Sequence, residues 1–173
     1  RFSANISVMF HEHNFLDRFQ VAKDNGFDAI EIQFPYDISL KELVHAKESA
    51  EVEITVINVG AGDLSIGGAG IAGYPGREDQ FKGAVESAHK YADKLKPINI
   101  NVLAGRPPLD RFDRRQCLDV LGSNLNYAAA ILEETGATVL TEAVNTKDRP
   151  GFLVSSTSAA IELIKRAGHR NLA

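Results

Sequence analysis

Glu142 sits within Val139-Leu140-Thr141-Glu142-Ala143-Val144, a β-forming run with almost no other polarity. An unpaired carboxylate in apolar surroundings costs several kcal/mol, so it must meet a cation, a metal or a dense hydrogen-bond network. Two chemistries satisfy that demand: an internal ion pair with an arginine from a neighbouring strand, or a metal ligand and general base at the mouth of a cavity. His11 and His13 are one residue apart, the spacing that brings two imidazoles to one face of a strand and suits a metal ion. They follow Phe10, where the chain is already leaving its strand, so a solvated or structural role competes with ligation.

These residues must be positioned by something, and the periodicity says what. Ala4–Phe10, Asp28–Phe34, Ile54–Val59, Ile98–Leu103 and Thr138–Ala143 read as five strands. Between them lie stretches of helical period. Phe15–Asn25 is closed by Gly26; Leu40–Lys47 follows Ser39 and Glu42 in a capping-box spacing. Glu78–Leu95 and Arg114–Thr135 are longer helices, and Thr157–Ala167 ends at Gly168. Asn171-Leu172-Ala173 reads as the start of a sixth strand. Strict alternation of this kind requires parallel strands joined by right-handed crossovers. Catalytic groups in such folds sit where strands end. The candidates there are His11, Glu12, His13, Gln33, Tyr36, Asp37, Asn58, Asp63, Arg106, Glu142 and Asn145.

Length alone favours an open doubly wound sheet, because a barrel takes ~250 residues. A dinucleotide-binding sheet, however, wants glycines after its first strand, and here His11-Glu12-His13-Asn14 stands in that place. The glycines gather later. Gly60, Gly62, Gly67, Gly68, Gly70, Gly73 and Gly76, half of the 14, fall in one 17-residue connection. Ile66, Ile71, Tyr74 and Pro75 are interleaved with them, which gives the loop apolar anchors to fold down on something. Pro75-Gly76-Arg77-Glu78 at the junction with the next helix is not a P-loop, so phosphate binding by that motif is excluded.

Composition narrows the function classes. With 44% hydrophobic and 24% charged residues, the 173-residue chain has the make-up of one globular domain. Its 19 basic and 23 acidic residues are well mixed, so no basic stripe is available for a nucleic-acid backbone. No apolar run approaches the ~20 residues a bilayer requires. The single Cys117 suits a reducing compartment, and a cytoplasmic location is the expectation.

Several runs together resemble the hydroxypyruvate isomerase family. They are Asn5–Phe10, Gly26–Tyr36, Gly62-Asp63-Leu64 with Pro75–Glu78, Asn101–Arg106, Thr141–Asn145, Asp148–Phe152 and Gly168–Leu172. The resemblance extends over nearly the whole chain. It implies an α/β fold, a (β/α)8 xylose-isomerase-like TIM barrel, of which this chain carries about five βα units plus the start of strand six. It also implies interconversion of hydroxypyruvate and 2-hydroxy-3-oxopropanoate with a divalent metal, Mg²⁺ or Mn²⁺. Relatives acting on 2-oxo-tetronates share the same motifs, so the alternative substrate stands beside the first. Two glutamates of the family move the proton and ligate the metal, and the first of them matches Glu142. The substrate's own carboxylate calls for an arginine or a ring of backbone N–H groups, and Arg77 and Arg106 are the candidates, each equally suited to a structural ion pair.

Residues 1–173 then form a single incomplete domain, without the last strands and the further metal ligands they carry. Five units cannot close an eight-fold barrel, and the open sheet edges expose unpaired backbone groups. The expectation is a polypeptide inactive or nearly so by itself, with assembly with another copy as one way to cover the opening. A non-catalytic binding or assembly module is the competing function, and a zinc hydrolase built on His11 and His13 is a third.

Overall fold

The computed structural model describes residues 2–173. Five parallel strands lie side by side in chain order: β1 (Ala4–Asn5), β2 (Ala29–Ile32), β3 (Glu53–Asn58), β4 (Asn99–Asn101) and β5 (Thr138–Leu140). Each is followed by a helix: α1 (Arg18–Asp24), α2 (Leu40–Ala50), α3 (Glu78–Leu95), α4 (Arg114–Leu132) and α5 (Thr157–Ala167). Consecutive helices touch one another, α1 on α2 through to α4 on α5, so they form one layer. Sequential strand order with a single helical layer is the arrangement of barrel staves, not of an open sheet wound on both faces. Past α5, Val139 bridges Leu172 in parallel, and the Ala173 N–H donates to the Val139 carbonyl at 2.9 Å. That is the expected onset of a sixth strand.

Alternation along the strands separates two environments. Ile30, Ile32, Ile54, Ile57, Ile100 and Val139 are buried on the helical side with Phe81, Val85, Leu121 and Leu125. Each such side chain contributes roughly 1.5–3 kcal/mol by leaving water. The residues between them (Glu31, Asn58, Asn101) face the other way, into a cavity.

Local chemistry shortens some elements. The first strand ends at Asn5 rather than Phe10, because Asn5 starts a turn. Its Oδ1 accepts from the Ser7 N–H at 3.1 Å, and its carbonyl accepts from the Val8 and Met9 N–H groups at 3.1 and 3.0 Å. Phe10 then adopts φ 61°, a value a strand does not allow. The fifth strand stops at Leu140, three residues earlier than its β-forming run. Ser39 does occupy the N-cap of α2, but its hydroxyl caps no N–H, so the capping box is not formed. Side-chain capping operates at α4, where Asp113 accepts from the Arg115 and Gln116 N–H groups, and at α5, where Ser156 accepts from Ala159.

Candidate active site

A cavity of about 670 Å³ opens where the strands end. β3 and β4 are in register so that Asn58 stands opposite Asn101. Their side chains therefore meet, and Asn101 Nδ2 donates to Asn58 Oδ1 at 3.1 Å and to Glu142 Oε1 at 3.0 Å. Both amide hydrogens are used, which fixes how the Asn101 amide faces. Asn101 is 6% exposed, and its Oδ1 is the one buried side-chain oxygen or nitrogen among the described residues without a partner. Glu142 follows β5 by two residues, lines the cavity and is exposed. Its apolar neighbours in sequence thus do not enclose the carboxylate, and among the described residues no guanidinium pairs with it. The hydrogen-bond partner is an asparagine, and the second carboxylate oxygen is left to the cavity.

Glu31 lines the same cavity from β2. Asn5 Nδ2 donates to its Oε1 at 3.0 Å, so the ends of β1 and β2 are tied through side chains. Burial first, and the like charge of Glu142 second, push its pKa above the ordinary 4.5. A folded-state pKa raised in this way means that Glu31 favours folding below 4.5 and that this contribution is lost as pH rises through the higher value. Glu142→Gln removes only the second cause. A carboxyl ¹³C NMR titration of that variant is expected to show the Glu31 pKa fall part of the way toward 4.5. No change would mean that the two carboxylates do not sense each other. Glu31 and Asn101 were not singled out by their chemistry in the sequence; they lie in the runs over 26–36 and 101–106 that carry the family resemblance, on the polar phase of alternating strands.

The two arginines expected at the site separate. Arg106 lines the cavity, and its Nε donates to the Gly68 carbonyl at 2.9 Å. Arg77 is not among the lining residues. Its Nη1 lies 3.3 Å from both Asp63 carboxylate oxygens and 3.0 Å from the Gly70 carbonyl, and its guanidinium stacks 4.1 Å over Tyr74. Those contacts commit it to the glycine-rich connection. His11 and His13 lie exposed in the turn after β1 and do not line the cavity either. Arg149, from the loop after β5, does.

The connection over 60–76 is folded, not loose. It contains a short 3-10 turn over Gly62–Ile66, and Ile71 and Ala72 are buried. Ile71 is its anchor; Ile66 is 87% exposed. Asp63 Oδ1 accepts from the Gly70 N–H at 2.8 Å. That bond foremost, and the Arg77 guanidinium after it, hold the Asp63 pKa below its ordinary 3.8. A depressed carboxylate pKa contributes stability above 3.8 that is lost as pH falls through the lower folded-state value. Acid is therefore expected to loosen this loop before the core. Protection of the Gly70 amide, taken relative to its intrinsic exchange rate, should fall in that window in the unaltered chain, and at neutral pH in Asp63→Asn; equal protection in the two at neutral pH would contradict the tie.

Comparison with known proteins agrees with this architecture. Residues 19–173 match the family described as xylose isomerase-like TIM barrel. The chain is 42% identical over 172 residues to hydroxypyruvate isomerase of Escherichia coli (strain K12), covering 99% of this chain and 66% of that protein. It is 38% identical to 2-oxo-tetronate isomerase of Cupriavidus necator, with the same coverage. A crystal structure described as AP endonuclease, family 2, from Brucella melitensis superposes with a TM-score of 0.94 at 34% identity, over all of this chain and 66% of that one. The chain thus spans 66% of the length of each of these relatives. Parallel staves in chain order, a polar cavity at their carboxyl ends and a family match from residue 19 to residue 173 lead to one assignment: the chain belongs to the xylose isomerase-like TIM barrel family.

Proposed function

We propose that the protein is an isomerase of small hydroxy-oxo acids, interconverting hydroxypyruvate and 2-hydroxy-3-oxopropanoate. The observation that carries this reading is Glu142, a carboxylate held at one oxygen by Asn101 and open to the cavity at the other. Likeness to an isomerase at 42% identity supports the reaction class. Moving a carbonyl to the adjacent carbon requires taking a proton from a hydroxyl-bearing carbon and returning it next door. Glu142 serves as the group that moves it. Asn101 orients the carboxylate and Asn58 orients Asn101, so the base meets the substrate in one pose. Arg106 receives the substrate's carboxylate.

The donors on the cavity wall are oxygens, Glu142 and Glu31 with the asparagine amides, and a hard cation such as Mg²⁺ or Mn²⁺ suits such a set. Glu142 is the ligand this chain offers through its free oxygen; among the described residues no cluster of three or more His, Cys, Asp or Glu could hold the ion alone. Such an ion supplies Lewis-acid polarisation of substrate oxygens. A net charge of -4 with basic and acidic residues well mixed offers no basic stripe for a nucleic-acid backbone. Cytoplasmic residence accords with a single cysteine. Isothermal titration of these 173 residues with hydroxypyruvate in the presence of Mn²⁺ is expected to give saturable binding. Saturation by 2-oxo-tetronate alone would move the assignment to the second substrate class.

A further inference from the structure

We infer that Arg149 is a second arm of the anion subsite, gripping the substrate's carboxylate together with Arg106 and making the cavity selective for acids over neutral sugars. The inference rests on the isomerase reading and deepens it. Arg106 and Arg149 line the same cavity as Glu142. Among the described residues neither forms an ion pair: Arg106 spends its Nε on the Gly68 carbonyl, and the Arg149 guanidinium has no hydrogen-bond or ion-pair partner there. The surface arginines Arg166 and Arg170, by contrast, are paired with Asp119 and Glu133. An unpaired guanidinium on a cavity wall that carries a second one is the kind of arrangement that binds a planar carboxylate.

The backbone explains why the two come together. The Leu153 N–H donates to the Gly105 carbonyl at 2.8 Å, which ties the loop after β5 to the residue before Arg106. Phe152, Leu153 and Val154 are buried and anchor that loop from one side. On the other side Asn145 Oδ1 accepts from the Lys147 and Asp148 N–H groups, and the Asn145 carbonyl accepts from the Arg149 N–H at 3.2 Å. Arg149 is thus carried at the cavity by a turn fixed at both ends, with its side chain free to close on a ligand. Arg106 and Arg149 with Glu31 and Glu142 give the cavity charges of both signs. A molecule with an acid group at one end and a hydroxy-carbonyl pair at the other matches that polarity.

The test is calorimetric titration, with Mn²⁺ present, of the chain and of its Arg149→Gln and Arg106→Gln variants. The probes are hydroxypyruvate and uncharged 1,3-dihydroxyacetone. Arg149→Gln is expected to weaken hydroxypyruvate by about tenfold or more while leaving dihydroxyacetone unchanged. Arg149 is exposed, so the substitution does not disturb the core. Hydroxypyruvate affinity lost in Arg106→Gln but kept in Arg149→Gln would overturn the role of Arg149 and leave the isomerase reading standing. Failure of the unaltered chain to bind hydroxypyruvate more tightly than dihydroxyacetone would overturn both.

Discussion

Glu142→Gln is expected to reduce isomerisation by about 100- to 10,000-fold, the range over which a positioned acid–base group acts. Turnover is to be measured with these residues carried in a barrel of the relatives' full length. The substitution keeps the shape of the side chain and an oxygen that accepts from Asn101 Nδ2, so the hydrogen bond at 3.0 Å can persist. What disappears is the charge and the capacity to take a proton. Glu142 is exposed, and its loss leaves no hole in the core. Thermal unfolding of the variant should therefore match that of the unaltered protein while activity collapses. Retention of more than a tenth of the activity would remove Glu142 from the chemistry.

Gly105→Ala is expected to destabilise the fold by about 2–4 kcal/mol, from a left-handed backbone and a steric clash acting together. Gly105 has φ +78°, and a Cβ there would stand 2.6 Å from the Ala69 carbonyl oxygen. That oxygen is backbone and is already held, since it accepts from the Arg106 N–H at 2.8 Å. Relief would require the glycine-rich connection to lift away from the β4 loop. Gly26→Ala is the control: its φ is +86°, but no atom lies within 4 Å of the added carbon. It should cost only the ~1–2 kcal/mol of the conformation itself. Urea unfolding midpoints compare the two directly. A midpoint for Gly105→Ala no lower than that for Gly26→Ala would show that the two loops are not packed as described. Substrate affinity should also fall in Gly105→Ala alone, because Arg106 and the Leu153 tie both depend on that segment.

Helices were the most legible part of the sequence. α3 and α5 end where their apolar stripes and terminal residues place them, at Glu78–Leu95 and Thr157–Ala167. Strands were legible in order and direction but not in length. The run over 4–10 is apolar enough to be a strand, yet Asn5 offers its neighbours a turn, and this local bond prevails over β propensity. The start of the sixth strand was visible in three residues and is confirmed by the Val139–Leu172 bridge.

The site was legible only in part, for a physical reason. Glu142 stood out because its neighbours are apolar, although that inference supposed an enclosure the structure does not provide. Arg77 and Arg106 look alike in sequence, and only the folded glycine-rich loop separates them by giving Arg77 to Asp63. Glu31 and Asn101 become site residues through strand register, which places Asn58 opposite Asn101 and so brings β2, β3 and β4 side chains to one cavity. Register is a relation between distant segments, and no single run displays it.

Titrating these 173 residues with Mn²⁺, with and without Glu142→Gln, probes the decisive carboxylate without requiring turnover. Saturable binding in the unaltered chain, weak because the described residues hold no cluster of three or more His, Cys, Asp or Glu and abolished in the variant while its circular dichroism stays the same, is the expected result. Equal binding in the two would place the ion elsewhere and leave Glu142 without the role assigned to it.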